Sequence, residues 1–246
     1  MNYRIEVRFK EEIRIEGKRG KKALIFRKEV YKILSLIPSS EKFIKNELRK
    51  ASSSVIANLA EGNGSYYYGR ECEHFDIGLC MLAKCQSLLD LAFLQGFIKE
   101  ENYKRLLESS KEIARILRAL MKRLERFLDD PVESYKDCTN VNSINLEATI
   151  ERAKEFQKAI YQLVRMLPEE EKENVCDQLR RAVSSLYETL IKSKEVISDG
   201  RFQQKLNYSI GSLSEVRSFL DISVMENYLT RNEYLTLDAE AGEIQK

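Results

Sequence analysis

The chain has 246 residues, 43% of them hydrophobic, so it is long enough for two ordinary domains that each bury a core, and it is not a disordered protein. Charged residues make up 33%, Gly and Pro number only 10 and 3, and Trp is absent, a balance that favours helices over turn-rich sheet. Net charge is +2, so bulk charge does not announce a nucleic-acid binder, yet residues 1–50 hold 15 Lys/Arg against seven Asp/Glu.

Residues 1–21 form an N-terminal extension. Tyr3, Ile5, Val7, Phe9, Ile13 and Ile15 alternate as in a small β-hairpin, and the basic run "GKRGKK" follows. No signal-peptide core opens the chain, and no run approaches the roughly 18 apolar residues that a membrane span needs. Five cysteines (Cys72, Cys80, Cys85, Cys138, Cys176), odd in number and without a C-x-x-C pair, read as reduced thiols. A soluble cytoplasmic protein without membrane contact is expected.

From 22 onward the pattern is helical. Ile25, Val30, Ile33, Leu34 and Ile37 recur at helical spacing over 22–37, and Pro38 disfavours helix in the residue before it. Ser39 or Ser40 is placed to cap a second helix over 41–61, with Gly62 to end it. After the loop "GNGSYYYG", a third helix over 70–95 closes at Gly96, and a fourth covers 100–128. Residues 22–128 thus predict an antiparallel four-helix bundle with short connections. Residues 129–145, rich in Asp, Asn, Ser and Thr, make a linker. A second unit, 146–246, carries helices over 146–167, 169–194 and 201–226, and a fourth that begins near Arg231 and lacks most of its length. An apolar groove should then stay open in the second unit unless a partner helix, another subunit or the first unit covers it.

The two units are copies of one another. At an offset of 130, Phe26, Lys28, Tyr31, Pro38, Glu41 and Lys42 meet Phe156, Lys158, Tyr161, Pro168, Glu171 and Lys172. One inserted residue shifts the register to 131, where Leu48, Arg49, Ala51, Ser53 and Ser54 meet Leu179, Arg180, Ala182, Ser184 and Ser185. Gly69, Arg70, Leu82, Ser87, Leu89, Asp90 and Tyr103 hold the same register. Chance does not keep one register that long, so the chain is a tandem duplication.

In "RKASSSVIANLAEG", Ala51, Ser54, Asn58 and Glu61 fall near one helix face. Small residues there let a second backbone approach, so this face is an interface or packing site, with Asn58 and Glu61 available to the free amides of the nearby loop. In the second unit Asn58 and Glu61 become Thr189 and Lys192, so their role is needed at most once per chain. This run, with "P-x-x-E" before it and a long third helix ending in "G-F-I", resembles a known family: the small four-helix-bundle proteins encoded in intervening sequences of bacterial 23S rRNA genes, which include the accessory variability determinants of diversity-generating retroelements. The resemblance covers about 23–127 well and 150–235 more weakly. It implies a non-enzymatic, oligomeric helical bundle, pentameric in characterised members, that binds nucleic acid and, in the retroelement branch, a reverse transcriptase.

Residues suited to chemistry are sparse. The single histidine, His74, forms an E-x-x-H pair with Glu71, but a di-iron site in a bundle needs a second such pair, so no metal and no cofactor are expected. Arg70 and His74 invite comparison with helical ribonucleases of the HEPN class, which resemble R-x4-6-H; here the spacing is R-x3-H. The fourth helix is more informative. Lys104, Lys111, Arg115, Arg118, Lys122 and Arg126 fall within an arc of roughly 80°, opposite Leu106, Ile113, Leu117, Leu120, Leu124 and Phe127. Together with Lys18, Arg19, Lys21 and Lys22 this stripe is the candidate nucleic-acid surface, suited to backbone contact without base specificity. The alternatives are a solvated helix face paired to Glu108 and Glu112 and loop-tip packing, rather than base stacking, for Tyr66, Tyr67 and Tyr68. The expected protein is an all-α tandem adaptor that binds RNA or DNA and a larger partner such as a reverse transcriptase, as a homo-oligomer or hetero-complex. A protein–protein scaffold is the alternative class, and a HEPN-like ribonuclease the third.

Overall fold

The computed structural model describes residues 18–128, 145–196 and 199–246, with the side chains of 18, 19, 126–128 and 199 left out. The expected β-hairpin, Cys138 and nearly all of the linker lie outside these residues. The described residues are all-α, with no strand among them. Unit one contains α1 (Lys18–Leu34), α2 (Lys42–Gly64), α3 (Tyr68–Leu94) and α4 (Glu100–Leu128). Unit two contains α5 (Leu146–Val164), α6 (Asp177–Lys194), α7 (Asp199–Met225) and α8 (Arg231–Gln245). In unit one α2 packs on α1 and α3, and α4 closes the ring by packing on α3 and α1; α5 to α8 repeat that ring.

The helices end where chain chemistry stops them. α3 gives way at Gln95 to Gly96, whose φ of +73° suits a residue without a Cβ, and the amide of Phe97 bonds back to the carbonyl of Ala92 at 2.9 Å. The equivalent in unit two is Asn227, at φ +60°, the other residue type that tolerates this conformation, with Tyr228 bonded back to Ser223 at 2.8 Å. α8 starts on a reciprocal cap: Thr230 accepts from the Glu233 amide, and the Glu233 carboxylate accepts from the Thr230 amide at 2.8 Å.

Four expectations change. α1 begins at Lys18, so much of the basic run is helix. Neither Ser39 nor Ser40 caps α2; Glu41 is the cap residue, with its amide bonded to the Pro38 carbonyl at 3.0 Å. Gly62 does not end α2, which runs on to Gly64; it marks a close approach to α3, where a Cβ would meet Phe75 Cε1 at 2.8 Å and the Glu71 carbonyl oxygen at 3.2 Å. The fourth helix of unit two is present, 15 residues against the 29 of α4, and buries Tyr234, Leu237, Ala241 and Ile244 against α5 and α7. The groove expected there is covered over that length.

The inserted residue of unit two has a structural form. Lys172–Cys176 is a π-helical turn between a 3-10 turn (Glu169–Glu171) and α6, the conformation by which a helix absorbs one extra residue. That turn and α7 pack on α2, joining the units. The equivalent contact of α6 on α3 is not made to a comparable extent, so the units meet through different faces. α3 is long and apolar enough to cross a membrane by composition, with a mean hydropathy of 1.6 over its best window; within unit one it packs between α2 and α4.

Candidate nucleic-acid interface and the inter-unit cleft

α4 is amphipathic as expected: Leu106, Ile113 and Leu117 are buried, whereas Lys104, Lys111, Arg115, Arg118 and Lys122 are exposed. Two of these cations are paired along the helix, Lys104 to Glu100 at 2.6 Å and Arg115 to Glu108 at 2.5 Å. Among the described residues no carboxylate lies within salt-bridge distance of Lys111, Arg118 or Lys122. Lys111, Arg115 and Arg118 line one hollow of about 420 Å³ beside Gln86 of α3. Lys22 of α1 pairs with Glu112, which brings the basic start of α1 to the border of the stripe, and Lys21 is exposed. Arg126 lies in α4, and Lys18 and Arg19 open α1, with side chains outside the described set.

The small-residue face of α2 is divided between two tasks. Ala51 and Ser53 are buried, and Ser52 turns its hydroxyl back to the Leu48 carbonyl at 2.7 Å. Ser54, Asn58 and Glu61 line a cleft of 580 Å³ between the units, together with Arg70 and His74 of α3, Arg181 of α6, and Tyr208 and Glu215 of α7. His74 is nearly buried, at 12% exposure. Its Nδ1 lies 2.9 Å from Glu61 Oε2 and 3.3 Å from Asn58 Oδ1; both are acceptors, so Nδ1 carries the proton. Asn58 is oriented by donating from Nδ2 to the Ser54 carbonyl at 2.8 Å. Nε2 faces the cleft, with an Arg70 guanidinium nitrogen 3.5 Å away. Arg70 also lies over the ring of Tyr208, 4.6 Å from its centroid.

Across the cleft Arg181 donates to Glu215 at 2.9 Å, and the Glu215 and Glu61 carboxyl groups hydrogen-bond to each other. Burial raises Glu215, the adjacent Glu61 charge raises it further, and the group reaches about 8 despite Arg181. Burial would raise Glu61 too, but the hydrogen bonds from His74 and Glu215 and the positive charge nearby hold it below the ordinary carboxylate value. The two carboxyl groups therefore share one proton, with Glu215 its owner.

A second polar cluster locks the units. Arg27, only 2% exposed, donates from Nε to Ser53 Oγ at 3.0 Å and from a terminal nitrogen to Glu226 at 2.6 Å, and its guanidinium lies 4.0 Å from the fully buried Glu171. Asn174 of the π turn donates to Glu171 at 2.7 Å and to Tyr31 at 2.9 Å. Sequence reasoning found neither this cluster nor Arg181, Tyr208 and Glu215. One signal was available: Arg27 stands on the same helical stripe as Ala23, Val30 and Leu34, and a charge among core positions calls for a buried partner.

Two tandem helical units joined through unlike faces define the class of protein. The family model for the 23S rRNA-intervening sequence protein matches residues 18–119 and 147–246, one match for each unit, and the chain belongs to that family. Comparisons with curated proteins and with solved structures gave no match.

Proposed function

We propose that the protein is an adaptor, each unit a four-helix bundle, that holds the backbone of RNA or DNA along α4 and presents it to a partner nucleic-acid enzyme such as a reverse transcriptase, as an oligomer or hetero-complex. The observation that carries this reading is the exposed row of Lys111, Arg118 and Lys122 without carboxylate partners among the described residues. A cation already paired gains little by meeting a phosphate, whereas these three release counterions from the nucleic acid outright. Membership of a family not known for enzymes supports an accessory role. The row offers point charges and no base-reading geometry, so sequence preference should be weak.

The test is fluorescence anisotropy with single- and double-stranded RNA and DNA over a salt series. Binding should weaken steeply with salt, and changing Lys111, Arg118 and Lys122 together to Glu should cut the slope of log K against log salt by about 2–3. Binding that ignores salt, or that survives the triple change, would exclude α4 as the surface. A salt-resistant complex with a protein and no nucleic acid would favour the scaffold alternative, for which the 490 Å³ hollow between α5 and α8, lined by Arg152, Phe156 and Ile244, is the place to look.

A further inference from the structure

We propose that the cleft between the two units is a general acid–base site that cleaves RNA, with His74 as the base, Glu215 as the acid, and Arg70 and Arg181 as the cations that hold the phosphate. This goes beyond the adaptor reading and the non-enzymatic role implied by the resemblance, and it takes its substrate class from the adaptor reading.

The geometry around His74 carries the argument. Buried side-chain polar atoms are mostly hydrogen-bonded, so a ring nitrogen that faces a cavity without a well-formed bond is available to a bound molecule. Here Nδ1 has two acceptors, whereas the hydrogen-bond contact of Nε2 among the described residues is to a cation at the outer limit of hydrogen bonding, 3.5 Å away. A carboxylate on one nitrogen and a second nitrogen facing a cavity is the arrangement of a general base, which acts in the neutral form of the ring. The cavity, at 580 Å³, has room for one nucleotide unit. Arg70 reaches it from unit one, where it also pairs with Glu73 at 3.3 Å, and Arg181 from unit two, where its partner Glu215 holds a proton and leaves the guanidinium charge uncompensated, so a phosphate seated between them meets a cation on each wall. The cleft thereby needs both repeats. Unit two has no second copy of it, because Thr189, Lys192 and Lys205 replace Asn58, Glu61 and His74.

The step balances without any further reactant. His74 Nε2 takes the proton of the ribose 2′-hydroxyl, the 2′ oxygen bonds to the adjacent phosphorus, and the bond from phosphorus to the 5′ oxygen breaks. Glu215 gives its proton to the departing oxygen. The products are a 2′,3′-cyclic phosphate and a 5′-hydroxyl; His74 Nε2 then gives its proton to water in the open cleft and Glu215 takes one from water, which restores the starting protonation of both groups. Glu61 acts through His74 and is a positioning residue. Because the nucleophile belongs to the substrate, DNA is bound and not cut.

The experiment uses the full chain with 5′-labelled single-stranded RNA in excess, in EDTA, and the same sequence with every 2′-hydroxyl removed. The expected result is fragments ending in 2′,3′-cyclic phosphate from the RNA alone. His74→Ala should slow cleavage by about 10²–10⁴-fold, with partial recovery in added imidazole, and Glu215→Gln should slow it as well. Glu61→Gln should lower kcat and leave KM unchanged. His74→Asn, which keeps a hydrogen-bond donor and lacks the base, separates lost chemistry from lost folding. No cleavage by the wild type, cleavage that survives both His74 changes, or cutting of the deoxy strand would overturn the proposal. Anisotropy on the deoxy strand, with and without the triple change on α4, reports the adaptor reading independently.

Discussion

Arg27, Tyr31 and Ser53 of unit one correspond by register to Gln157, Tyr161 and Ser184 of unit two, and the two sets make the same local bonds in different surroundings. Gln157 donates to Ser184 at 3.1 Å, as Arg27 donates to Ser53 at 3.0 Å, and the Tyr161 hydroxyl lies 3.2 Å from the Ser184 hydroxyl. Arg27 and Ser53 are sealed beneath unit two and Tyr31 is partly buried, whereas Tyr161 is 37% exposed. What differs is one charge. A buried guanidinium persists only with counter-charges, and in unit one Glu171 and Glu226 arrive from the other repeat; where no such surface arrives, a neutral amide serves. Equivalent positions therefore have unequal requirements, because the repeats meet through unlike faces.

The sharpest way to break this comparison is to remove the charge. Arg27→Ala leaves Glu171 buried without its guanidinium and should cost about 3–5 kcal/mol in urea unfolding, whereas Gln157→Ala should cost no more than about 1 kcal/mol. Equal losses would mean that the inter-unit cluster does not hold the repeats together.

The second pair is Glu215 and its counterpart Lys84, which is exposed and bonded to Glu47 at 2.5 Å. Glu215, raised from 4.5 to about 8, keeps in the folded chain a proton that the unfolded chain releases above 4.5. Its stabilising contribution is complete below pH 4.5 and is lost as pH rises to about 8. Glu61 works in the other direction: held below 4.5, it loses its contribution as pH falls beneath that value. Glu215→Gln should therefore flatten the decline in melting temperature between about pH 5 and 8, and Lys84→Gln should leave it unchanged. Parallel declines in the wild type and Glu215→Gln would show that Glu215 does not hold the proton.

Gly62 and its counterpart Ser193 sharpen the comparison in packing. Both are buried, but at Gly62 the ring of Phe75 occupies the place of a Cβ, whereas Ser193 has room for a hydroxyl that bonds to the Leu190 carbonyl at 2.6 Å. Gly62→Ala should cost about 1–3 kcal/mol by overpacking, and Ser193→Gly about 1 kcal/mol through helix propensity. Circular dichroism melts of the two variants decide it.

Much of the fold was legible in the sequence because amphipathic spacing and terminators agree. α4 occupies the span that its apolar stripe marks, Gly96 sits just beyond α3, and the unit-two fourth helix starts at Arg231. The register slip near Lys172 was visible, but a count of residues does not distinguish a longer loop from a π turn. Asn58, Glu61, Arg70 and His74 were each legible on their own helices. Their partners were not, since Arg181 and Glu215 face them only after α7 docks on α2, and that docking leaves no periodic trace. The same limit hid Glu171 and Asn174.

The smallest expected effect concerns the two left-handed corners. Gly96 and Asn227 hold equivalent positions at φ +73° and +60°, one without a side chain and one with a residue that bears some strain there. Asn227→Gly removes the Cβ conflict and enlarges the freedom of the unfolded chain, two terms that oppose each other, so the net change should stay within about 0.5 kcal/mol. Gly96→Ala runs the same two terms in reverse, and the backbone term wins: nothing lies within 4 Å of the new Cβ, so space is not at issue, and the net cost of about 1 kcal/mol is that of placing Ala at a positive φ. Asn227→Ala should cost less than Gly96→Ala if both corners perform the same task, because Asn227 already carries a Cβ at a positive φ. A larger loss at Asn227 would show that its side chain contributes a contact that Gly96 never had, and that the third-to-fourth helix corner, like the inter-unit face, differs in what each repeat demands of it.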